Sequence, residues 1–326
     1  MPYAKRVRKL QRLLQWPVIV SNPYDISYYT GYKPGADDAT ILLIPHQGKP
    51  TLCLDSLASF SSRHTHSDHL TKEAIADFPL ALGYDETHLP AGVFMTIAKN
   101  RTMNRASNVI RKPREIKEPH EIDQMKKAIA LNKKALEKVH IFGKRESDVA
   151  WEIEHFFHAQ KAERSFETIV ASGSNAGDRI HHIPGTKRTS KNTMTIVDFG
   201  SRVNGYSSDI TRTYYNRHDK KQQTLADLIR QLQAECIDMI RPGVEMKEIN
   251  DYHARLLEKL RFPARHSIGH GIGLFVHESA TCLEKNMIIT IEPGMYVPGF
   301  GGCRIEDMIL VGKKPLVLSK KIPQQE

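Results

Sequence analysis

Four acidic residues lie in segments that otherwise have the apolar pattern of β-strands. Asp198 is in TIVDFG and Asp209 is in YSSDITRTYY, whereas Glu292 is in MIITIEPG and Glu306 is in GGCRIEDMILV. Strand interiors disfavour Asp, and a buried carboxylate that has no partner is costly. The pattern therefore indicates carboxylates that are kept for a chemical task.

The pair Asn204-Gly205 separates the first two of these strands and is the strongest short signal for a β-hairpin. A hairpin at this point places the strands of Asp198 and Asp209 side by side. Two carboxylates that lie close together repel each other unless a cation lies between them. The glycine-rich segment RHSIGHGIGLFVHE, between the two pairs of acids, contributes three histidines: His266, His270 and His277.

Four carboxylates and a nearby imidazole form a ligand set that consists mainly of oxygen atoms. Such a set suits Mn, Fe or Co, and Zn is also possible, whereas a structural zinc site would favour thiolates. Four carboxylates are too many for one ion, but two ions about 3.5–4 Å apart make bridging carboxylates natural. The alternative is four unrelated acids, each paired with Arg or Lys. Their recurrence in the same kind of strand favours a two-metal site.

The composition of the 326-residue chain is that of a globular protein, with 40% hydrophobic and 26% charged residues. The net charge of +10 divides equally between residues 1–112 and 113–326. A nucleic-acid-binding protein more often concentrates such charge on one element, so we expect no nucleic-acid partner. Four scattered cysteines and the lack of long apolar runs predict a cytoplasmic protein with no membrane partner.

The order of the predicted elements indicates two domains. Residues 1–112 alternate helix and strand signals and predict a small α/β domain, which begins with a basic amphipathic helix that turns Val7, Leu10, Leu13 and Leu14 inward. A polar surface loop is expected at Ser61–His69, and a linker at Arg111–Glu121. Residues 113–326 group their strands and helices, which predicts an α+β domain with a curved antiparallel sheet.

Four segments, in order and spacing, resemble the signature blocks of the pita-bread metallopeptidases. They are IVDFG…YSSDITRT, HSIGHGIGLFVHE, IEPGMYV and GGCRIEDMILV, and they are most similar to the prolidase and Xaa-Pro aminopeptidase branch. The resemblance covers Lys117–Val311, and NPYDISYYTGY resembles the start of a creatinase/prolidase N-terminal domain. The resemblance implies a pita-bread catalytic domain at 113–326 behind such a domain at 1–112.

The resemblance also implies a role for each candidate residue. Asp198 would bind one metal ion and Asp209 would bridge two, while His270 and Glu292 would bind the second ion and Glu306 would bridge. The ions would be Mn, with Co, Fe or Zn as alternatives. Glu292 would also transfer protons. The remaining implied active-site residues are His181, His277, His266 and Arg304, of which the first two would be catalytic and the last two would bind substrate.

One departure from the family pattern concerns the first of these histidines. Family members usually have Pro-His there, whereas this chain has GSNAGDRIHHIPG. His181 is followed by His182, and the spacing to Asp198 favours His181. Cys303 beside Arg304 is also unusual, and we expect it to pack as a small apolar residue.

The implied activity is hydrolysis of the Xaa-Pro peptide bond. The short first domain favours Xaa-Pro dipeptides as substrates, with an Xaa-Pro aminopeptidase that acts on longer peptides as the alternative. A non-enzymatic binding protein of the same fold is a remote third possibility, because such relatives typically lose metal ligands that are all present here. Creatinase-like hydrolases also lack the ligand set, and methionine aminopeptidases usually lack the first domain. The resemblance further implies a homodimer.

Overall fold

The computed structural model describes residues 2–35, 40–54, 75 and 77–323, together with the backbone of 66–69. The chain divides into two compact units, Met1–Arg114 and Glu115–Glu326. None of the helices among these residues has the length and apolar character needed to cross a lipid bilayer.

A six-stranded mixed sheet forms the centre of the first unit. Its strands follow the order β4-β3-β2-β1-β5-β6, in which β1–β2 and β2–β3 are antiparallel and the other pairs are parallel. The strands are β1 (Val18–Val20), β2 (Ile41–Ile44), β3 (Thr51–Leu54), β4 (His66–His69), β5 (Ala81–Tyr84) and β6 (Thr102–Arg105). The helices are α1 (Pro2–Gln11), α2 (Pro23–Thr30), α3 (Ala91–Ile97) and α4 (Ser107–Glu115).

Three expectations for this part of the chain need correction. Leu13 lies beyond the end of α1 and is 46% exposed, so the buried apolar side of that helix is carried by Val7 and Leu10. The predicted loop Ser61–His69 is a strand from His66 onward, and its earlier residues lie outside the described ones. The predicted linker is mostly helical, because only 116–118 separate α4 from the next helix.

The second unit combines five helices with four small antiparallel sheets. The sheets have the strand orders β11-β10-β7, β12-β9-β8, β13-β16-β17 and β14-β15. The helices are α5 (Pro119–Lys138), α6 (Glu146–Ala159), α7 (Ser174–Asp178), α8 (Lys220–Asp238) and α9 (Met246–Lys259). The strands are β7 (Glu163–Arg164), β8 (Ile169–Ser172), β9 (Thr195–Phe199), β10 (Ser201–Val203), β11 (Tyr206–Ser207), β12 (Ile210–Tyr214), β13 (Ile288–Ile291), β14 (Gly294–Val297), β15 (Gly301–Arg304), β16 (Asp307–Leu310) and β17 (Leu316–Val317).

The main core of this unit lies where α8 and α9 pack against β13–β16. Ile229 on α8, Ile249 on α9, Ile289 on β13 and Ile309 on β16 are all fully buried in it. These apolar positions recur at helical and strand spacing, so burial of one face fixes the register of each element. Cys303 is buried in the same core, as expected of a small apolar residue.

The hairpin between the first two acid-bearing strands turns at Asn204-Gly205, as the sequence predicts. Both residues have positive φ, at 51° and 88°, and Val203 pairs with Tyr206 across the turn. A two-residue turn with two positive φ angles suits the twist of the flanking strands. The hairpin brings β9 and β12 together with Asp198 opposite Thr211.

Three of the four acids lie at the ends of strands rather than in their interiors, which corrects the sequence interpretation. Asp198 is inside β9, whereas Asp209 immediately precedes β12, Glu292 immediately follows β13 and Glu306 immediately precedes β16. The backbone at these positions leaves the regular ladder: the Glu306 N–H donates to Thr211 O. Such breaks allow carboxylates from different sheets to converge.

Candidate metal centre

A cavity of about 490 Å³ in the second unit contains all the residues that the sequence predicts for the site. Acids, histidines and one arginine form most of its polar lining, and apolar residues form most of the rest. The polar lining includes Asp198, Asp209, Glu292, Glu306, His181, His182, His266, His270, His277 and Arg304. The apolar lining includes Phe166, Ile169, Ile180, Ile183 and Val276.

His270 lies among the carboxylates. Its Nε2 atom is 3.4 Å from Glu292 Oε1 and 3.7 Å from Asp209 Oδ2. Asp209, His270 and Glu306 each offer one ligand atom, and these three atoms all lie within 4.8 Å of one another. That spacing suits atoms that surround a common cation.

Several carboxylate oxygens in this cluster are buried without a hydrogen-bond partner among the described residues. They are Oδ1 of Asp198, Oδ1 of Asp209 and Oε1 of Glu306. An unpaired buried carboxylate oxygen is strongly disfavoured, and buried charges are normally paired or bound to metal. The unpaired oxygens together with the oxygen-rich donor set fit hard or borderline divalent cations.

Three carboxyl groups of the cluster, those of Asp209, Glu292 and Glu306, have raised pKa values in the absence of a cation. Burial is the main cause for Asp209 and Glu306, and the neighbouring carboxylates add to it, so both pKa values lie well above the ordinary range. Burial also raises the pKa of Glu292 to about 8, against the opposing effect of Arg304. The metal-free cluster therefore retains protons near neutral pH, and bound cations would replace them.

The imidazoles of His266, His270 and His277 favour the neutral form. Burial lowers the pKa of His270 and His266 to about 4, and it lowers the pKa of His277 as well. The Nδ1–H of His270 donates to the carbonyl oxygen of Gly271 at 3.0 Å. Because a carbonyl can only accept, Nδ1 carries the proton and the Nε2 lone pair is free to bind a metal.

A chain of hydrogen bonds connects His266 to the carboxylate of Asp198. His266 Nδ1 donates to Ser267 O at 2.8 Å, so its Nε2 accepts from the hydroxyl of Tyr296 at 2.8 Å. That hydroxyl in turn accepts from Arg304 Nη1 at 2.7 Å, and Arg304 Nη2 donates to Asp198 Oδ2 at 2.8 Å. The buried guanidinium of Arg304 thereby orients Asp198, while its predicted role in substrate binding stays a prediction.

Two residues of the site were missed by the sequence interpretation. The Thr211 hydroxyl donates to Glu306 Oε2 at 2.9 Å and accepts from Arg304 Nε at 3.3 Å, while Tyr296 connects Arg304 to His266. Thr211 lies two positions after Asp209, and this spacing places side chains on the same side of a strand. That spacing could have identified Thr211, whereas no local signal identifies Tyr296.

The adjacent histidines have different surroundings. His181 is exposed and lines the cavity, and it lies near enough to His266 and His277 to help lower their pKa values. The side chain of His182 is only 11% exposed, and its Nε2 donates to the fully buried Glu146 at 2.8 Å. His181 is thus the more accessible of the two.

Comparisons with known proteins identify the family and the fold of the chain. The sequence profile of metallopeptidase family M24 matches residues 123–313. The chain is 32% identical over 259 residues to the Xaa-Pro dipeptidase of Pyrococcus horikoshii, covering 74% of this chain and 72% of that protein. It is similar in structure to a prolidase from Pyrococcus horikoshii, with a TM-score of 0.87, 28% identity and coverage of 98% and 100%.

A second similar structure is an Xaa-Pro dipeptidase from Bacillus anthracis, with a TM-score of 0.87, 26% identity and coverage of 98% and 97%. The predicted α+β fold, with the pita-bread arrangement of antiparallel sheets, is confirmed by these likenesses. Because the profile matches more than half of the chain, this protein is a metallopeptidase and belongs to family M24.

Proposed function

We propose that this enzyme hydrolyses the peptide bond between a residue Xaa and proline, with Xaa-Pro dipeptides as the favoured substrates. The observation that carries the proposal is the cluster of buried, partly unpaired carboxylate oxygens around the neutral His270, beside an apolar wall in one cavity. The dipeptidases and prolidases to which the chain is similar support the choice of substrate.

The acids and His270 would hold two divalent cations. Asp198 would bind one ion, His270 and Glu292 the other, and Asp209 and Glu306 would bridge them. The oxygen-rich donor set favours Mn, with Co, Fe or Zn as alternatives. Bound cations of this kind supply Lewis acidity, which makes water nucleophilic near neutral pH.

Glu292 would move the proton of the reaction. In the metal-free protein burial raises the pKa of Glu292 to about 8, so the cavity itself favours the protonated carboxyl group, which is the form that would deliver a proton to the leaving nitrogen. Its Oε would take a proton from the attacking water and later deliver it to the proline nitrogen. His266 Nδ1, 3.9 Å from Glu292 Oε2, lies beside this carboxyl group.

The histidines of the cavity would act on the substrate. The ring of His277 lies 4.4 Å from that of His270, measured between centroids, so it borders the metal ligands without joining them. We assign to it the stabilisation of the oxyanion, and we assign to the exposed His181 a catalytic contact near the leaving group. His266 and Arg304 would position the proline side.

The apolar wall would receive the proline ring. Phe166, Ile180 and Val276 line the same cavity as the acids, and Ile183, which also lines it, is 76% exposed. The Xaa-Pro amide has no N–H group, so the pocket needs no acceptor for that nitrogen and only has to fit a ring.

A second candidate is an Xaa-Pro aminopeptidase that acts on longer peptides. Among the described residues that line the cavity there is no lysine, and the guanidinium of Arg304 already donates to Asp198, Tyr296 and Thr211. A free proline carboxylate would therefore have to share Arg304 with these three partners, which favours a chain that continues beyond proline.

We further propose that the first unit serves as a creatinase/prolidase-like N-terminal domain and the second as the catalytic domain. We propose a homodimer in the cytoplasm that has no nucleic-acid partner. The free cysteines Cys53, Cys236, Cys282 and Cys303 are compatible with a reducing compartment.

A paired assay tests the activity. Mn²⁺-loaded enzyme receives Ala-Pro, Ala-Pro-Ala and Ala-Ala at equal concentrations, with an EDTA-treated control. EDTA-sensitive cleavage of Ala-Pro, with Ala-Ala left intact, supports the proposal, and faster cleavage of Ala-Pro-Ala selects the aminopeptidase. Cleavage of Ala-Ala at the rate of Ala-Pro would contradict proline specificity.

A further inference from the structure

Glu146 is a fully buried acid that does not belong to the candidate metal centre. It is the first residue of α6, and its side chain has no exposed surface. Its Oε1 accepts from Ser172 N at 2.7 Å and from Asn175 Nδ2 at 2.9 Å. Its Oε2 accepts from His182 Nε2 at 2.8 Å and from Gly185 N at 3.2 Å. One carboxylate thus collects donors from β8, α7 and the loop at 179–185.

The same loop is joined to the start of α6 through the backbone. Ser147 N donates to Gly185 O at 3.0 Å, and Glu146 N donates to Lys187 O at 2.9 Å. Glu146 therefore holds this segment through its side chain at His182 and Gly185 and through its main chain at Lys187.

The two adjacent histidines of this loop have different environments. The ring of His182 lies against Glu146, whereas His181 is exposed and lines the cavity with the candidate metal ligands. We propose that Glu146 is a positioning residue, which binds His182 and thereby fixes the loop so that His181 faces the substrate. This role rests on the proposed function, in which His181 acts beside the substrate.

The kinetic test compares Glu146→Gln with Glu152→Gln. Glu152 lies on the same helix, where it pairs with Lys144 at 2.6 Å and both side chains are 31% exposed, so E152Q is a matched control. The amide of E146Q has one acceptor oxygen and cannot accept from both His182 and Gly185 while it also holds Ser172. We expect E146Q to lower kcat on Ala-Pro about tenfold with little change in KM, as for other positioning partners.

A double-mutant cycle separates positioning from a general structural defect. If Glu146 acts through His181, adding E146Q to His181→Asn lowers kcat by less than about twofold, because coupled residues are not additive. A full tenfold loss in both backgrounds would overturn the proposal. His182→Gln, which keeps an N–H donor for Glu146, should retain more activity than His182→Leu, and equal activities would also count against it.

Chemical labelling supplies a readout that does not depend on turnover. Diethyl pyrocarbonate modifies accessible neutral imidazoles, and peptide mapping by mass spectrometry locates the product. We expect modification of His181 and protection of His182 in wild type and in E152Q, with His182 becoming reactive in E146Q. Protection of His182 in E146Q would overturn the proposal. Wild type that cleaves no Xaa-Pro peptide would contradict the proposed function, and the labelling would still decide the positioning of the loop.

Discussion

Glu306 and Asp307 are neighbours in sequence, both are buried, and they have opposite surroundings. Asp307 accepts hydrogen bonds from Arg212 Nη2 at 2.8 Å, from Gln233 Nε2 at 3.1 Å and from the hydroxyl of Ser319. Glu306 accepts from the hydroxyl of Thr211, and its Oε1 has no partner in the described part of the chain. One acid is fully satisfied by the fold and the other is not.

The difference follows from the groups that each side chain contacts. Asp307 pairs with the fully buried Arg212, which also donates to Glu306 O and Ile322 O. Glu306 lies in the cavity with the other carboxylates. Asp307, which is paired with a buried arginine, stabilises the fold. Glu306, which lies among other acids, is available to bind cations from solution.

Replacing Glu306 tests one side of this comparison with the largest expected effect. Glu306→Ala removes a proposed bridging ligand, so we expect kcat on Ala-Pro to fall on the order of 10³-fold with the loss of at least one bound Mn²⁺. The metal-free variant should unfold at the same or a higher temperature than wild type, because a buried carboxyl group with an unpaired oxygen has been removed. Metal analysis and calorimetry measure both; full activity in this variant would refute the metal assignment.

Replacing Asp307 tests the other side. Asp307→Ala leaves the buried Arg212 without its carboxylate, and breaking a buried pair in this way costs about 3–5 kcal/mol of unfolding free energy. Activity per folded molecule should change little by comparison with E306A. Urea unfolding measures the loss, with Asp251→Ala in the exposed Lys247 pair as the control. A loss no greater than that of the control would show that the Asp307 cluster does not stabilise the fold.

Thr211 contacts both Glu306 and Arg304, and its replacement should give an intermediate effect. Thr211→Val keeps the shape of the side chain and removes the hydroxyl that donates to Glu306 and accepts from Arg304. We expect the affinity for Mn²⁺ to fall by about 10–100-fold, as for other groups that orient metal ligands. Isothermal titration calorimetry checks this, and unchanged affinity would mean that Glu306 needs no such orientation.

The pH dependence of stability tests the protonation of the cavity acids and should give a smaller effect. With pKa values raised at Asp209, Glu306 and Glu292, the last to about 8, the folded metal-free protein binds more protons than the unfolded chain up to about pH 8. The free energy of unfolding therefore falls as pH rises through this range. His266 and His270, with pKa values lowered to about 4 from 6.5, oppose this trend only below about pH 6.5.

We thus expect the melting temperature of the metal-free enzyme to fall between pH 6.5 and pH 8. Saturating Mn²⁺ should reduce this slope, because the ions take the place of the protons. Differential scanning calorimetry in EDTA and in Mn²⁺ provides the comparison. A melting temperature that rises with pH in EDTA would contradict the proposed state of the carboxyl groups.

The sequence predicted the parts of the site that are encoded locally. The Asn204-Gly205 turn has the two positive φ angles that its residue types favour, and it sets Asp198 near Asp209 as expected. The acids were visible because they interrupt apolar strand patterns. The exposed position of Leu13 shows the limit of this approach, since the helical spacing does not reveal that α1 ends at Gln11.

The remaining parts depend on contacts between residues that are far apart in the chain. The bond from Arg304 to Asp198 joins residues 106 positions apart, and the bond from Thr211 to Glu306 joins residues 95 positions apart. Neither helical nor strand periodicity carries information about such pairs. The distinction between Glu306 and Asp307 was also hidden, because their partners lie on other elements.

A calorimetric titration of metal-free enzyme with Mn²⁺ at pH 7.5, in two buffers of different ionisation enthalpy, tests the two-metal site most directly. We expect two ions per chain in wild type, with release of protons from the carboxyl groups, and fewer than two ions in Glu306→Gln. Binding of no ion, or of two ions by the variant with wild-type affinity and no proton release, would contradict it.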